Sequence, residues 1–316
     1  MKIFLDCNRK HIMIQRMEPI WREMGHKLIS SYKGADVQLS LVKIHNRGKV
    51  PIVLRLDGVY YDLDVDYRGI DYRGRNEEIS KAHSIADAVI YQSKYGKELC
   101  ETYLTPRKKK ALYRIIPNGI EKNWVTRKPH DGMNIVVAAI WRRHKRLREI
   151  IEIFLELLVS YQDVKLHVIG ALEDNKEIPH PNIFYYGEIS HSRMREIYET
   201  ADLHVHLSKR DNCPNTVIEA IGAGVPVLTT NLCGGATEIC FQYDGGYVYY
   251  EGEDTYTPVY LYRDEWNKLP DDTKEGLING LKRFYSGKVK TTFPEQIDIR
   301  NVAKKYIEVM EETCGK

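Results

Sequence analysis

Two carboxylates flank the start of a short predicted helix in the second half of the chain. Asp211 lies in a polar loop, and Glu219 lies about one turn into the helix that follows. The backbone N–H groups of Asn215, Thr216 and Val217 point out of the start of that helix, and such an end attracts anions. We therefore predict a phosphate site at the helix start. Glu219 is expected to accept hydrogen bonds from sugar or ribose hydroxyls, and Asp211 to reach the other side of the same ligand.

The spacing of apolar residues indicates how this helix is oriented. Val217, Ala220 and Ile221 share one face and are expected to pack on a sheet. Thr216 and Glu219 share another face, so Glu219 is predicted to point away from the core. The alternative interpretation makes Asp211 a helix-start residue and Glu219 part of a solvated face. The two interpretations differ in whether the carboxylates have a ligand.

Strands and helices alternate along the chain, which predicts parallel sheets. The alternation occurs in two series, separated by a polar stretch at 123–134 that contains a proline and a glycine. We therefore predict an α/β protein with two Rossmann-like domains facing across a cleft. The expected boundaries are 1–125 for an N-terminal Rossmann-like domain, shortened, and 126–295 for a C-terminal one. A terminal helix at 296–316 is expected to pack back toward the first domain. Ligands of parallel sheets bind beyond the carboxyl ends of the strands.

Composition narrows the class of protein. The net charge of +3 over 316 residues gives no argument for nucleic-acid binding, although basic runs occur at 107–110 and 142–148.

The first residues contain no apolar signal segment, and no apolar run is long enough to cross a membrane. Six scattered cysteines match no zinc pattern and are expected to be reduced thiols. A cytoplasmic protein is the expectation, with a possible peripheral contact at a membrane.

A long stretch around the two carboxylates resembles a known family. Residues 185–238, "YYGEISHSRMREIYETADLHVHLSKRDNCPNTVIEAIGAGVPVLTTNLCGGATE", are similar to the donor-binding half of retaining glycosyltransferases of the group 1, family 4 type, which have the GT-B fold. Asp211 and Glu219 occupy the positions of the family's Glu-x7-Glu motif. The other matching positions are Gly187, Ala201-Asp202, Ser208, Gly224-Val225-Pro226, Gly234-Gly235 and Glu238.

The resemblance implies roles for individual residues. The segment "AAIWRRHKRL" resembles the one in which an arginine and a lysine hold the diphosphate, which favours Lys145 and, over Arg143, Arg142. Cations there would stabilise the charge on a departing nucleoside diphosphate. Glu219 would hold the ribose hydroxyls and Asp211 the donor sugar, although Asp211 is one methylene shorter than the family's glutamate. The remaining candidate donor-binding residues are Asn212, Cys213, Asn215, Thr216, Val217, Gly170, Gly187 and Ile189.

The first half of the chain departs from the family pattern. The glycine-rich loop after the first strand is replaced by "DCNRKHIMIQ", and "RLDG" stands where the family has a histidine. Asp57 is a candidate catalytic residue that would orient the acceptor or the donor sugar. It could equally form a structural turn with Gly58. The Asp-x-Asp pattern at 61–67 is short and common by chance, and the His204–His206 pair has no third ligand, so no metal is predicted.

The resemblance implies an enzyme that moves a sugar from a nucleotide-diphospho-sugar to an acceptor with retention of configuration. In this interpretation residues 1–125 form the acceptor domain and residues 126–295 the donor-nucleotide domain. No cofactor and no metal are expected. The acceptor could be a glycan, a lipid-linked molecule or a small molecule, and the basic run at 107–110 could contact an anionic membrane surface. The alternative is a repurposed protein of the same fold that binds a nucleotide-sugar without transfer or acts as an epimerase.

Overall fold

The structure is a computed structural model that describes residues 1–7, 11–60, 71–173, 176–242, 246–253, 267–286 and 291–315. These residues form two compact units, one of Met1–Glu121 with Glu295–Lys316 and one of Lys122–Pro294. Each unit contains a six-stranded sheet in which every described strand pair is parallel. The predicted α/β class with two parallel sheets is therefore confirmed. The Asp-x-Asp pattern at 61–67 lies outside the described residues.

The first unit has the strand order β2-β1-β3-β4-β5-β6. Its elements are β1 (Lys2–Asp6), α1 (Ile12–Glu23), β2 (Lys27–Ile29), β3 (Val37–Leu41), β4 (Ile52–Leu56), α2 (Tyr72–Ile85), β5 (Ala88–Tyr91), α3 (Lys94–Tyr103), β6 (Leu112–Ile115) and, from the end of the chain, α9 (Ile299–Thr313). The order in which strands are added reverses between β1 and β3, so the carboxyl ends of these two strands form the switch point where ligands of such sheets bind.

The terminal helix α9 packs on α1. The indole N–H of Trp21 donates to the backbone oxygen of Ala303 over 2.9 Å, and the rings of Trp21 and Tyr306 lie 6.2 Å apart. Both aromatic side chains are almost fully buried. A buried indole needs a partner for its N–H, and the helix backbone supplies one here.

The second unit has the strand order β12-β11-β10-β7-β8-β9. Its elements are β7 (Met133–Ala138), α4 (Leu147–Leu158), β8 (Val164–Ile169), β9 (Ile183–Gly187), α5 (His191–Tyr198), β10 (Leu203–His206), α6 (Asn215–Gly222), β11 (Val227–Thr230), α7 (Gly235–Gln242), β12 (Gly246–Tyr249) and α8 (Asp271–Ser286). A short 3-10 helix, Arg143–Lys145, precedes α4. The switch point of this sheet lies between β7 and β10.

Apolar residues of α4 and α8 cover the sheet of the second unit. Ile150 and Phe154 of α4 and Leu277 and Leu281 of α8 are buried in one cluster with the inward side chains of the strands. The six cysteines are free thiols. In the described part of the chain, no helix combines the length and the apolar character needed to span a bilayer.

Candidate active site

The predicted site residues of the second unit gather beyond the carboxyl ends of β7 and β10. These strands are hydrogen-bonded neighbours at the centre of the sheet, where the strand order reverses. The chain leaving β7 forms the 3-10 helix that ends at Lys145, and the chain leaving β10 reaches Asp211 five residues after His206. The strand order thus brings together two segments that are far apart in the sequence.

Lys145 and Asp211 form an ion pair at this point. The Lys145 Nζ lies 2.6 Å from the Asp211 Oδ2, and each side chain is 19% exposed. Burial raises the pKa of Asp211, but the charge of Lys145 and the nearby His206 outweigh burial, so this pKa lies below its usual value. The His206 Nε2 lies 3.8 Å from the same Oδ2 and has no hydrogen-bond partner among the described residues. The site therefore holds an ionised carboxylate and a paired ammonium in a mostly buried position.

The backbone around Asp211 is held in a strained conformation. Arg210 has a φ of 61°, a left-handed value that a non-glycine residue adopts at some cost. Its N–H donates to the oxygen of Leu232 over 3.1 Å, and the N–H of Gly235 donates to the oxygen of Asp211 over 2.6 Å. These contacts to the loop between β11 and α7 fix the direction of the Asp211 side chain toward Lys145.

Helix α6 begins directly after this loop. Pro214 is its N-cap, and the first hydrogen bond of the helix is donated by the N–H of Ile218 to the oxygen of Pro214 over 3.3 Å. The N–H groups of Asn215, Thr216 and Val217 therefore precede the helical hydrogen-bond ladder, as predicted for an anion-binding end.

The prediction that Glu219 points away from the core is wrong. Glu219 is 5% exposed, and every residue from Val217 to Gly222 is buried. Helix α6 packs on β10 and β11 with one side, and Trp124 and His191 lie against Glu219 on another side. The Glu219 Oε1 lies 3.7 Å from the Nε2 of His191.

Trp124 fixes the surroundings of Glu219. Its indole N–H donates to the backbone oxygen of Glu219 over 3.0 Å, and its ring lies 5.0 Å from the ring of His191. The polar stretch that contains Trp124 connects the two units in the sequence, and the tryptophan itself is 3% exposed. Neither Trp124 nor His191 was predicted as a site residue.

The other residues of the loop before α6 are partly or fully buried. The Asn212 Oδ1 is buried and accepts no hydrogen bond within the described ranges, and Cys213 is 6% exposed. A buried amide oxygen without a donor costs free energy, so a ligand hydroxyl or water there would be stabilising. The predicted donor-binding role of these two residues stays a prediction.

The two arginines weighed as diphosphate ligands both have acidic partners. The Arg142 Nε donates to Glu173 over 2.8 Å. Arg143 forms a two-pronged pair with Glu149, at 2.9 and 2.6 Å. Arg142 is the more exposed of the two, with 32% of its side chain accessible against 12% for Arg143. This difference is compatible with the choice of Arg142, whose phosphate role stays a prediction.

Glycine is required at the end of β8. Gly170 has a φ of 109°, and a Cβ there would lie 1.8 Å from the backbone oxygen of Ala139, just beyond β7. Its N–H donates to the oxygen of Gly187 over 2.8 Å, so two predicted glycines meet at the strand ends. Ile189 is half-buried just before the cap of α5. These three residues lie at the carboxyl ends of β8 and β9, beside the strand that leads to Lys145.

Sequence reasoning missed the best-buried ion pair of this unit. Arg146 has no exposed surface and forms a two-pronged pair with Glu251, one contact of which is 2.8 Å. The Arg146 Nε also donates to the backbone oxygen of Asn267 over 3.0 Å, and the Thr230 hydroxyl donates to Glu251 over 2.7 Å. Burial raises the pKa of Glu251, but the bond from Arg146 outweighs it and the net shift is downward. The ion pair with Glu251 therefore anchors Arg146, which directly follows Lys145 in the sequence.

Asp57, the fourth predicted catalytic residue, lies in the first unit just after β4. Its Oδ1 accepts hydrogen bonds from Arg55 and Gln92, and Arg55 also donates to Asn118 over 2.9 Å. Arg55 is 1% exposed, whereas 45% of the Asp57 side chain is accessible. Asp57 therefore neutralises a buried arginine, which supports the structural alternative, and its accessible surface leaves the proposed sugar contact open.

Three buried histidines and the half-buried His167 of the second unit predict acid-sensitive stability. Burial lowers the pKa of His206 and of His167 to about 4, and the pKa values of His144 and His204 are also lowered. Between pH 6.5 and 4 the unfolded chain binds protons that the folded chain does not, so the free energy of unfolding falls as the pH falls. We expect His206 alone to contribute about 2 kcal/mol of this loss by pH 5.

Urea unfolding at pH 7.5 and pH 5 measures the effect. The loss between the two pH values should shrink in His206→Gln and stay unchanged in His45→Gln, which changes an exposed histidine. If the free energy of unfolding fell by the same amount in the wild-type protein and in His206→Gln, His206 would already be protonated in the folded state at pH 5.

The side chains near the switch point of the second unit include groups that can bind an anion. Within the described ranges, no group of three or more His, Cys, Asp or Glu side chains is arranged to hold a metal ion. The switch point instead presents a lysine, a helix start and two carboxylates, which can bind phosphate and hydroxyl groups.

Comparisons with known proteins agree with this geometry. Residues 120–256 match the family model described as glycosyl transferases group 1. The capsular polysaccharide biosynthesis glycosyltransferase CapM of Staphylococcus aureus is 25% identical over 208 residues, which are 62% of this chain and 53% of that protein. The match thus spans about half the length of this curated relative.

Solved structures are similar over nearly the whole chain. Sucrose-phosphate synthase from Thermosynechococcus elongatus superposes with a TM-score of 0.65 at 12% identity, over 99% of this chain and 94% of that one. The pneumococcal O-GlcNAc transferase GtfA was solved in complex with UDP and GlcNAc. It gives a TM-score of 0.51 at 12% identity, over 88% of this chain and 57% of that one. Residues 120–256 therefore carry the sequence pattern of the glycosyl transferases group 1 family, in a chain with the GT-B fold of glycosyltransferases.

Proposed function

We propose that this protein is a glycosyltransferase that moves a sugar from a nucleotide-diphospho-sugar to an acceptor, with retention of configuration. The observation that carries the proposal is the convergence of Lys145, Asp211 and the start of α6 at the switch point of the second unit. Nothing in this arrangement requires a metal, and we propose a metal-independent reaction without a cofactor.

Each group has a defined task in this proposal. Lys145 and Arg142 stabilise the negative charge that develops on the leaving diphosphate, and the N–H groups at the start of α6 add donors. Glu219 accepts hydrogen bonds from the ribose hydroxyls. Asp211 contacts the donor sugar. Because Lys145 already contacts Asp211, the donor phosphates must compete for Lys145 or share it with that carboxylate.

Ligand-induced stabilisation tests the donor site. A ligand that binds only the folded state raises its stability, by about 2.7 kcal/mol when present at 100 times its Kd. We expect one of UDP, GDP, ADP or dTDP, or the corresponding nucleotide-sugar, to raise the melting temperature. UDP is the first choice because a protein of similar fold was solved with UDP.

Glu219→Gln is the variant that tests the ribose contact. It should weaken nucleotide binding by about 10-fold or more, because hydrogen bonds to a charged group contribute roughly 1.5–3 kcal/mol. Glu196→Gln, which changes an exposed glutamate on α5, is the matched control. Equal nucleotide affinity in Glu219→Gln and the wild-type protein would remove Glu219 from the site.

Transfer itself requires a separate measurement. Incubation with the bound nucleotide-sugar and an acceptor library should release nucleoside diphosphate, and the anomeric signals of the product report retention. Nucleotide binding without transfer to any acceptor would favour the alternative, a repurposed nucleotide-sugar-binding protein. Epimerised donor would indicate an epimerase.

The acceptor and the location are further parts of the proposal. The acceptor is a glycan, a lipid-linked molecule or a small molecule, met by a cytoplasmic enzyme with a possible peripheral membrane contact. Of the basic run at 107–110, Arg107 and Lys108 are paired with Glu101 and Asp87. Lys109 and Lys110 are exposed, so a membrane contact would rest mainly on these two charges.

A further inference from the structure

The first unit contains a cavity of about 360 Å³. Its walls include His11 from the start of α1, Lys43 and His45 from the loop after β3, and Arg75 and Glu78 from α2. The cavity thus lies beyond the carboxyl ends of β1 and β3, which form the switch point of this sheet. Its volume falls within the range of small-ligand pockets, roughly 300–1,000 Å³.

The charged side chains that line the cavity are two cations, Lys43 and Arg75, and one carboxylate, Glu78. Lys43 is paired with Glu78 at 3.0 Å on the rim, so this carboxylate is already neutralised. Arg75 has no acidic partner in the part of the chain that the structure describes, and its guanidinium lies over the ring of Tyr60, 5.4 Å from the centroid. The guanidinium is therefore a fixed cation whose N–H groups are available to an anion.

The aromatic support under Arg75 is rigid. The side-chain amide of Asn76 accepts from the N–H of Tyr60 and donates to its oxygen, both over 2.9 Å. The Tyr60 ring stacks on Tyr72 with centroids 5.2 Å apart and planes 16° from parallel. A cation held on a fixed ring loses less conformational entropy on binding than a lysine on a flexible surface would.

The loop that carries His45 is also held in place. The buried Asp6 carboxylate accepts hydrogen bonds from the N–H of His45 over 2.8 Å and of Asn46 over 3.1 Å. Val42 has a φ of 64°, which is strained for a β-branched residue, and its N–H donates to the oxygen of Arg55 over 2.8 Å. Such strain persists only where the surrounding structure enforces it, and it concentrates at functional sites.

We propose that this cavity binds an anionic sugar, in which Arg75 and His45 hold a phosphate or carboxylate group, and that this sugar is the acceptor of the transfer. The acceptor role rests on the proposed function, whereas binding of the anionic sugar does not. A guanidinium binds either anion through two parallel hydrogen bonds, and His45, which lines the same cavity, adds a donor. The substrate class is therefore an acidic or phosphorylated sugar rather than a neutral one.

Ligand-observed NMR titrations of the full chain test this inference. The probes are glucose 6-phosphate, glucuronic acid and glucose. Each is titrated to about 10 mM, so that binding with a Kd in the millimolar range is detected. At least one anionic sugar should bind about 10-fold or more tightly than glucose, and which one binds identifies the anion as phosphate or carboxylate. Equal binding of glucose and both anionic sugars, or no binding of any probe, would overturn the proposal.

Two variants assign the binding to the cavity. Arg75→Gln and His45→Gln should each weaken the anionic sugar about 10-fold, whereas Arg73→Gln, an exposed arginine two residues earlier on α2, should not. Circular dichroism confirms that all three variants fold, and equal losses in Arg75→Gln and Arg73→Gln would refute the site. Glu219→Gln should leave anionic-sugar binding intact. A wild-type protein that binds the anionic sugar but none of the nucleotides would contradict only the proposed function. A wild-type protein that binds a nucleotide but no anionic sugar would contradict only this inference.

Discussion

Lys145→Ala should reduce the rate of sugar transfer by roughly 10²–10³-fold, the effect typical of removing one group that stabilises developing negative charge. Lys145 lies 2.6 Å from Asp211 in a position that is mostly shielded from water. Low exposure strengthens its interaction with a diphosphate, because bulk solvent screens the charge less there. The loss should appear mainly in kcat, since charge on the leaving group develops in the transition state.

The same substitution should also perturb Asp211. Without Lys145, the nearest cation-forming group to the carboxylate is His206, whose Nε2 is 3.8 Å away. Lys145 lowers the pKa of Asp211, so its removal should raise that pKa and destabilise the fold at neutral pH by about 1–3 kcal/mol. Urea unfolding measures this second effect separately from kinetics.

A control separates the role of Lys145 from a general effect of positive charge. Arg148 is an exposed cation at the start of α4, three residues further along the chain. Arg148→Ala should leave both kcat and stability near wild-type values, because exposed charges contribute little. If the Lys145→Ala enzyme kept kcat within about threefold of the wild type, the ion pair with Asp211 would be purely structural.

That Lys145 and Asp211 belong to one candidate site could be predicted from the sequence, because the motifs of the family resemblance include both. Their mutual contact could not be predicted, since it joins residues 66 positions apart and depends on β7 and β10 being neighbours. The orientation of Glu219 was predicted wrongly for a related reason. Apolar periodicity identifies the face that packs on a sheet, but it does not show that a short helix is covered on its other faces as well.

Most strands were predictable, because a buried parallel strand is a short run of apolar residues with turn residues at its ends. Helix α8 was not predicted, and its glycines show why. A Cβ on Gly280 would lie 2.6 Å from the hydroxyl of Tyr249, so this helix uses a residue with low helix propensity to let an aromatic side chain approach. A local pattern cannot reveal a glycine that is selected by a contact with another element.

Arg146→Met should destabilise the second unit by about 3–5 kcal/mol, because it leaves the Glu251 carboxylate buried without its counter-charge. Arg146 was missed in the sequence because it lies in a basic run where neighbours such as Arg148 are exposed, and only its left-handed φ of 61° turns it inward. Its partner is 105 positions away. The methionine replaces the aliphatic part of the side chain, so loss of charge pairing dominates the expected change.

The double variant Arg146→Met/Glu251→Met shows whether the cost comes from the unpaired charge. If it does, removing both charges should recover a large part of the stability lost in Arg146→Met, because two apolar side chains can replace a buried pair at little cost. Thr230 would lose its acceptor in the double variant, so recovery should stay incomplete by about 1 kcal/mol. A double variant less stable than Arg146→Met would mean that the hydrogen bond from Thr230 to the Glu251 carboxylate matters more than the unpaired charge of that carboxylate. The double variant could also recover stability without recovering transfer activity. That result would mean that the Arg146–Glu251 pair also holds Lys145, the neighbour of Arg146 in the sequence, in the position needed for the leaving group.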